Sequence, residues 1–241
     1  MGGDSGSPAA VCAGEFTLVA ALDLGAPQFP ISAALSGDNL LFVAEQGETT
    51  QVFESVHDGA GFTDGWSPPS AVEQTDGAES VSQTILRNGP SLYFNRGCEM
   101  SVMQRMKGDV TTDTALSTLC AVAPSIRDRV LVTSAESEFG GEDDLYRCDV
   151  TNCAPTLVLG GSADDRDPWI SVDGLRIYFE RDQQIFVASR TDVSAPFLTT
   201  SAVPLPQTPE TSFVFDPWLT DDECAMFFDD GLDIYVATRD E

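Results

Sequence analysis

The chain has 241 residues, and its 39 acidic against 12 basic side chains give a formal net charge of −27 at pH 7. This charge argues against nucleic acid and anionic membrane surfaces as partners, because phosphate binding needs a basic face. No stretch approaches about 18 consecutive apolar residues, so no membrane span is predicted.

Residues 1–14 are expected to be a flexible lead-in, and residues 15–241 a single domain. A strand is predicted at Glu15–Leu22, before the first repeat. Apolar strands then recur at intervals that suit a four-stranded blade, about 40–50 residues in known repeat families. Their register residues are Phe42, Phe94, Val132, Phe179 and Phe228.

The clearest repeat lies in the last two units. Asp167–Gly174 reads DPWISVDG and Asp216–Asp222 reads DPWLTDD, and each is followed by an aromatic strand. The units then continue through the similar segments Ile185–Arg190 and Ile234–Arg239. Short runs of Val, Ile, Phe and Tyr bounded by Gly, Asp and Pro indicate strands, and Asp-Gly between two such runs indicates a hairpin.

The last unit is one strand short, because the chain stops soon after Ile234–Arg239. The predicted strand at Glu15–Leu22 supplies the missing one and closes the ring, which protects the sheet edges. We therefore predict an all-β fold, a five-bladed β-propeller with four-stranded antiparallel blades that is closed by the N-terminal strand.

The six cysteines fit three disulfides on this strand map, although six reduced core cysteines are the alternative. One pair flanks a turn, one is symmetric about a hairpin, and one locks the ring. The predicted pairs are Cys148–Cys153, Cys98–Cys120 and Cys12–Cys224. Three such pairs indicate an oxidising compartment, so that the protein is expected to be secreted or located in the periplasm or at the outer surface.

The repeated sequence motifs of the chain resemble the WD40-like PD40 repeat of TolB-type propellers. The resemblance rests on Asp167–Phe179, on Ile234–Arg239 and on the hairpin Phe139–Tyr146, and it covers about half the chain convincingly. It implies a protein of the bacterial cell envelope that binds a protein or other ligand, often as a scaffold. TolB itself has six blades and an additional N-terminal domain, so its partners are not transferred.

The repeated aspartates are expected to hold turns, since short carboxylates accept hydrogen bonds from nearby backbone amides. Asp144 and Asp233 are assigned to the turn between the second and third strands of their blades. Asp173, and either Asp221 or Asp222, are assigned to the turn between the first and second strands.

A ligand or metal site is predicted at one mouth of the central channel. Asp167 and Asp216 start equivalent inner strands, and Glu79, Asp165 and Glu210 are candidates to approach the same opening. Converging carboxylates repel one another unless a hard cation neutralises them, so calcium at Asp167 and Asp216 is the metal hypothesis. The alternative is that these acids face solvent or cap neighbouring strands.

Catalytic chemistry has few candidates. The only histidine, His57, has no nucleophile motif nearby, and zinc or copper sites need more His or free Cys ligands. Five-bladed propellers include carboxylate-dependent glycoside hydrolases, which is the enzyme alternative. The inner strands at Gln28–Ser32 and Ala123–Ile126 lack the acid that those enzymes carry in their early blades.

The tryptophans divide by position. Trp169 and Trp218 follow proline at equivalent repeat positions and are expected to pack between blades. Trp66 lies in an outer loop and is the better candidate for an exposed ligand contact.

The sequence therefore predicts a monomeric propeller of the envelope or extracellular space that binds a protein, peptide or glycan at the channel mouth without catalysis. The alternatives are a glycoside hydrolase and a purely structural module. The fold itself does not choose among them.

Overall fold

The structure is a computed structural model that describes most of the chain. The described residues are 12, 14–25, 28–36, 38–57, 62, 65–86, 89–97, 99–104, 109–112, 122–127, 130–136, 143–149, 152–205 and 213–239. Within this part of the chain, no helix is long and apolar enough to cross a membrane.

Five four-stranded sheets make up the fold. The N-terminal strand is β1 (Thr17–Ala21), and blade one contains β2 (Gln28–Ser36), β3 (Asn39–Gln46), β4 (Thr49–Val56) and β5 (Ser70–Ala71). Blade two contains β6 (Ser80–Leu86), β7 (Gly89–Arg96), β8 (Glu99–Gln104) and β9 (Asp109–Thr112). Blade three contains β10 (Val122–Arg127), β11 (Val130–Glu136), β12 (Asp143–Asp149) and β13 (Asn152–Leu159). Blade four contains β14 (Asp165–Ile170), β15 (Arg176–Arg181), β16 (Gln184–Ser189) and β17 (Thr199–Ala202), and blade five contains β18 (Phe215–Leu219), β19 (Ala225–Asp229) and β20 (Ile234–Thr238).

The blades form a closed ring. Their inner strands β2, β6, β10, β14 and β18 each contact the next, and β18 contacts β2. The fifth sheet has the order β1-β20-β19-β18, with Thr17 opposite Thr238 and Ala21 opposite Tyr235. The predicted five-bladed propeller, closed by its N-terminal strand, is therefore confirmed.

The second strand of each blade forms the core. The five predicted register residues lie on β3, β7, β11, β15 and β19, and all of them are completely buried: Phe42, Phe94, Val132, Phe179 and Phe228. Both faces of these strands are covered by neighbouring blades, so the strands read as continuous apolar runs, as buried strands do.

Four of the inner strands carry an irregularity beside a proline. The register shifts near Pro30, Pro124, Pro168 and Pro217, because proline cannot donate to the ladder. β6 has no proline and pairs regularly with β7. The repeated bulge bends the inner strands where they line the channel.

Two of the predicted disulfides are formed. Cys12 is bonded to Cys224, which ties the segment before β1 to the turn before β19. Cys148 is bonded to Cys153 across the turn between β12 and β13. The third predicted pair, Cys98 and Cys120, lies outside the described residues.

Candidate binding site

Two equivalent aspartates face the channel at the bulges of β14 and β18. Asp167 and Asp216 each precede a proline and have φ values of 51° and 50°. Aspartate tolerates this left-handed conformation better than most residues, because its short side chain can bond locally. The bulge turns both half-buried side chains towards the same point in the channel.

A third carboxylate meets them there. Asp216 is hydrogen-bonded to both Asp167 and Asp229, the last residue of β19. Asp229 is 2% exposed and is held in place by the backbone N–H of Ser32, over 3.1 Å, and that of Gly231, over 3.0 Å. Blades one, four and five thus meet at this carboxylate group, which we call the aspartate triad (Asp167, Asp216 and Asp229).

The triad is protonated more readily than free aspartates are. Burial raises the pKa of Asp167 to about 7, and the charges of Glu180 and Asp229 add to the effect. Burial also raises the pKa of Asp229 to about 6, against the two backbone donors. The pKa of Asp216 is raised well above its ordinary value by burial and by both neighbouring carboxylates.

Protons shared among the three carboxyl groups relieve the repulsion between their charges. Carboxylates in hydrogen-bond contact cannot all ionise near neutral pH, so the protons belong to the group as a whole. Asp216 lies in the middle and is the natural donor to Asp167 or Asp229. The adjoining cavity between β2, β6, β14 and β18 measures about 20 Å³, which is room for one water molecule.

Calcium at Asp167 and Asp216 remains a prediction. Calcium takes about 6–8 oxygen ligands, whereas both oxygens of Asp229 already accept backbone N–H groups. Among the described residues, no three His, Cys, Asp or Glu side chains are arranged to hold a metal ion.

A larger cleft opens outward from Asp167 between blades four and five, and we call it the mouth cleft. Its volume is about 610 Å³, and it is lined by Ser162, Ala163, Asp164, Arg166, Asp167, Glu180, Asp182, Gln183 and Phe215. Among its described lining residues, Arg166 is the one basic side chain, and it pairs with Asp143 over 2.7 Å and with Asp164 over 3.0 Å. The cleft is therefore acidic.

A tight hairpin forms one wall of the mouth cleft. Asp182 and Gln183, between β15 and β16, have φ values of 52° and 62°, as a two-residue hairpin turn requires. The backbone N–H of Gln183 donates to Oε1 of Glu180 over 2.6 Å, which fixes that carboxylate. Burial raises the pKa of Glu180, while the side chain of Asp182 is exposed.

Asp165 does not join this site. Its side chain is completely buried and accepts both Nε and Nη2 of Arg181, over 2.6 and 2.8 Å. The predicted ligand residue is instead one half of a buried ion pair within blade four.

The other predicted contact residues are spread over the ring. Glu79 precedes β6, and its carboxylate accepts a hydrogen bond from Asn95 over 3.2 Å. Glu210 lies outside the described residues. Trp66 is half-buried, donates to the carbonyl of Phe62 over 3.0 Å and packs on His57 with ring centroids 4.8 Å apart. Trp66 therefore packs within its loop and against the core.

The aspartates assigned to the turn between the first and second strands of a blade do hold that turn. Asp173 accepts the hydroxyl of Ser171 over 2.6 Å and the backbone N–H of Leu175 over 2.9 Å. Asp222 does the same in blade five, with Thr220 at 2.6 Å.

The assignment of the other turn needs correction. The role expected of Asp233 belongs to Asp230, which accepts the backbone N–H groups of Leu232 and Asp233, each over 3.0 Å. Asp144 accepts the backbone N–H of Gly161 over 3.2 Å, in the loop beyond β13, and the turn before β12 lies outside the described residues.

Sequence reasoning missed Glu180 and Asp229. They follow Phe179 and Phe228 at equivalent repeat positions, so the repeat itself contained the signal. Trp169 and Trp218 are buried at 0% and 7% exposure, in keeping with the predicted packing role.

The closed ring and its five sheets define a β-propeller, and the comparisons agree with this class. TolB from Acinetobacter baumannii superposes with a TM-score of 0.56 and 12% identity, over 87% of this chain and 54% of that one. A putative TolB from Agrobacterium tumefaciens gives 0.52 and 16%, over 84% and 70%. The chain thus spans about half the length of the Acinetobacter protein.

Identities this low show a common fold alone. No family model and no curated protein matches the sequence. The chain is therefore TolB-like in its propeller fold, and the PD40 resemblance rests on its motifs.

Proposed function

We propose that this protein is a non-catalytic binding propeller whose mouth cleft takes a basic segment of a protein or peptide. The observation that carries the proposal is the composition of the cleft. Asp164, Asp167, Glu180 and Asp182 line it, and the one arginine among its described lining residues is already paired with acids.

The electrostatics favour a cationic ligand. A cleft lined by one sign of charge concentrates the field between its walls, and the net charge of −27 adds a long-range attraction. An ammonium or guanidinium group in the cleft would also relieve the repulsion between the carboxylates. A neutral glycan has no charge that the acidic cleft could stabilise.

The geometry of the triad weighs against hydrolysis. Glycoside hydrolases separate their two carboxyl groups by at least about 5 Å, so that the scissile bond or a water fits between them. Asp167 and Asp216 are hydrogen-bonded to each other, and the adjoining cavity of about 20 Å³ cannot hold a sugar ring.

The cell compartment that we propose is outside the cytoplasm, at the bacterial envelope or beyond it. The disulfides Cys12–Cys224 and Cys148–Cys153 support this location, because structural disulfides persist in oxidising compartments.

Fluorescence polarisation with a labelled hexapeptide containing three lysines tests the proposal. Asp182→Asn removes an exposed charge from the cleft wall at a position where asparagine tolerates the positive φ. We expect two- to fivefold weaker binding, as for one surface charge. Asp109→Asn, which removes an exposed charge on β9, is the matched control and leaves the affinity unchanged.

Two results would contradict the proposal. One is equal weakening by Asp182→Asn and Asp109→Asn, which would reduce the binding to overall charge. The other is release of reducing ends from a glycan by the unaltered protein but not by the Asp167→Asn/Asp216→Asn double variant, which would make the protein a hydrolase.

A further inference from the structure

A second pocket lies at the other end of blade four. β14 runs from the mouth cleft, at Arg166 and Asp167, to this pocket, at Ile170, and the turn that follows forms part of the pocket wall. The pocket lies between blades three and four and has a volume of about 290 Å³. Among the residues that the structure describes, none lines both this pocket and the mouth cleft.

The floor of this pocket is apolar. Val132, Ile170, Ile177 and Phe197 belong to one buried cluster and line it. The rim is apolar as well, since Val130, Val172 and Val193 line the pocket and are 40%, 58% and 56% exposed. Large exposed apolar side chains that gather at a concave site indicate a binding surface.

Two arginines stand in this apolar surrounding. Arg190 lies over the ring of Phe197, 4.5 Å from its centroid, and its Nε donates to the carbonyl of Gly174 over 2.8 Å. Arg147 is exposed on β12, and within the described part of the chain the structure gives it no ion-pair partner. The two like charges repel each other, and burial together with Arg147 lowers the pKa of Arg190.

The acids nearby are already engaged. Asp173 lines the pocket but is paired with Arg176 over 3.1 Å and accepts the hydroxyl of Ser171. Asp192 attracts Arg190 weakly, and its Oδ1 accepts both donors of Ser194, the backbone N–H over 2.8 Å and the hydroxyl over 2.6 Å. Neither acid neutralises Arg147.

From this arrangement we propose that the pocket captures the C-terminal residue of a partner polypeptide, with its carboxylate between Arg147 and Arg190 and its apolar side chain on the floor. A C-terminal residue carries both groups on one Cα, so they reach the arginines and the floor together. Guanidinium groups bind carboxylates through paired, charge-assisted hydrogen bonds. The exposed valines of the rim then contact the preceding residues.

The test uses a fluorescein-labelled hexapeptide that ends in two leucines, as the free acid and as the C-terminal amide. We expect the acid to bind at least tenfold more tightly than the amide. Arg147→Gln is expected to remove that difference, because it removes one of the two charges between which the carboxylate is proposed to bind. The exposed side chain has no described ion-pair partner, so its loss leaves the fold intact. Arg96→Gln removes a positive charge at the end of β7, in blade two, where it lines neither pocket. It is the matched control and leaves the difference unchanged.

Three results would overturn the proposal. Acid and amide of equal affinity would exclude carboxylate recognition. Equal losses in Arg147→Gln and Arg96→Gln would show that the binding depends only on overall charge. If decanoate binds in an Arg147-dependent way but the peptide acid does not, the pocket takes small apolar carboxylates and no C-terminus. A circular dichroism melt of each variant shows that it is folded.

Discussion

Asp216 lies between two other carboxylates, and both of them oppose its ionisation. It contacts Asp167 and Asp229, and all three have a raised pKa. The folded protein therefore retains protons that the unfolded chain releases between about pH 4 and pH 7. In that window the folded state binds more protons than the unfolded state, so stability falls as pH rises.

Asp216→Asn should reduce this dependence by the share of Asp216, while burial still raises the pKa values of Asp167 and Asp229. Asparagine keeps the hydrogen bonds and tolerates φ of 50°, but it carries no charge. At pH 7.5 we expect a gain of about 2 kcal/mol, corresponding to a Tm roughly 4–8 °C higher, with little change at pH 4.5. Thermal melts between pH 4.5 and pH 7.5 measure this change in Tm. Asp109→Asn is the control and should follow the profile of the unaltered protein. Parallel profiles for Asp216→Asn and the unaltered protein would refute the triad.

The calcium hypothesis concerns the same residues and is tested separately. If calcium binds at Asp167 and Asp216, adding it at millimolar concentration to chelator-treated protein raises the Tm by several degrees, because it binds only the folded state. Magnesium at the same ionic strength is the control. The absence of a calcium-specific rise would leave a shared proton as the only neutralising species.

At the scale of the element, the turn between β18 and β19 joins two blades through one carboxylate. Glu223 is 1% exposed and accepts Arg176 Nη2 over 2.6 Å and the hydroxyl of Tyr178 over 2.8 Å, both from blade four. Arg239, at the end of β20, reaches the same carboxylate over 3.2 Å. Burial and, to a smaller extent, the charge of Glu223 raise the pKa of Tyr178 to about 12.

Glu223→Gln should destabilise the protein by about 3 kcal/mol, because it removes a buried charge that pairs with two arginines. Arg239 loses its described counter-charge, and Arg176 keeps only the partly exposed Asp173. Denaturant unfolding measures this loss. Glu48→Gln makes the same chemical change in the exposed turn between β3 and β4 and should shift stability by no more than about 0.5 kcal/mol. An equal effect of the two substitutions would show that the Glu223 contacts add no stability.

At the scale of the whole molecule, the ring is closed twice, by strand pairing and by a covalent bond. β1 pairs with β20, and Cys12 is bonded to Cys224 over a separation of 212 residues. The second described disulfide, Cys148–Cys153, spans only 5 residues. A cross-link restricts the unfolded chain more when it closes a longer loop.

Removing the two disulfides should therefore have unequal effects. By loop entropy, Cys12→Ser/Cys224→Ser costs on the order of 5 kcal/mol and Cys148→Ser/Cys153→Ser on the order of 2 kcal/mol. Guanidinium unfolding measures the loss in the free energy of unfolding of the two double variants. Each variant is the matched control of the other. A larger loss for the short loop would contradict closure as the main role of Cys12–Cys224.

The number of blades, the central residue of each second strand and the closure of the ring were all predictable from the sequence. These properties follow from local chemistry: buried strands show as apolar runs around Phe42 or Phe179, and turns show as Asp-Gly. Such signals are readable because each depends on neighbours close in the chain. The same reasoning placed Asp167 and Asp216 correctly at equivalent positions of two inner strands.

Which charges meet depends on contacts between segments that are far apart along the chain. Asp229 joins the triad because β19 reaches the backbone of Ser32, 197 residues away along the chain. Asp165 is lost to the site because Arg181 lies opposite it across the β14–β15 pair. Arg147 and Arg190 approach each other only because blades three and four pack side by side. Contacts between distant segments leave no periodic trace in a sequence, so these sites could be recognised only in the folded ring.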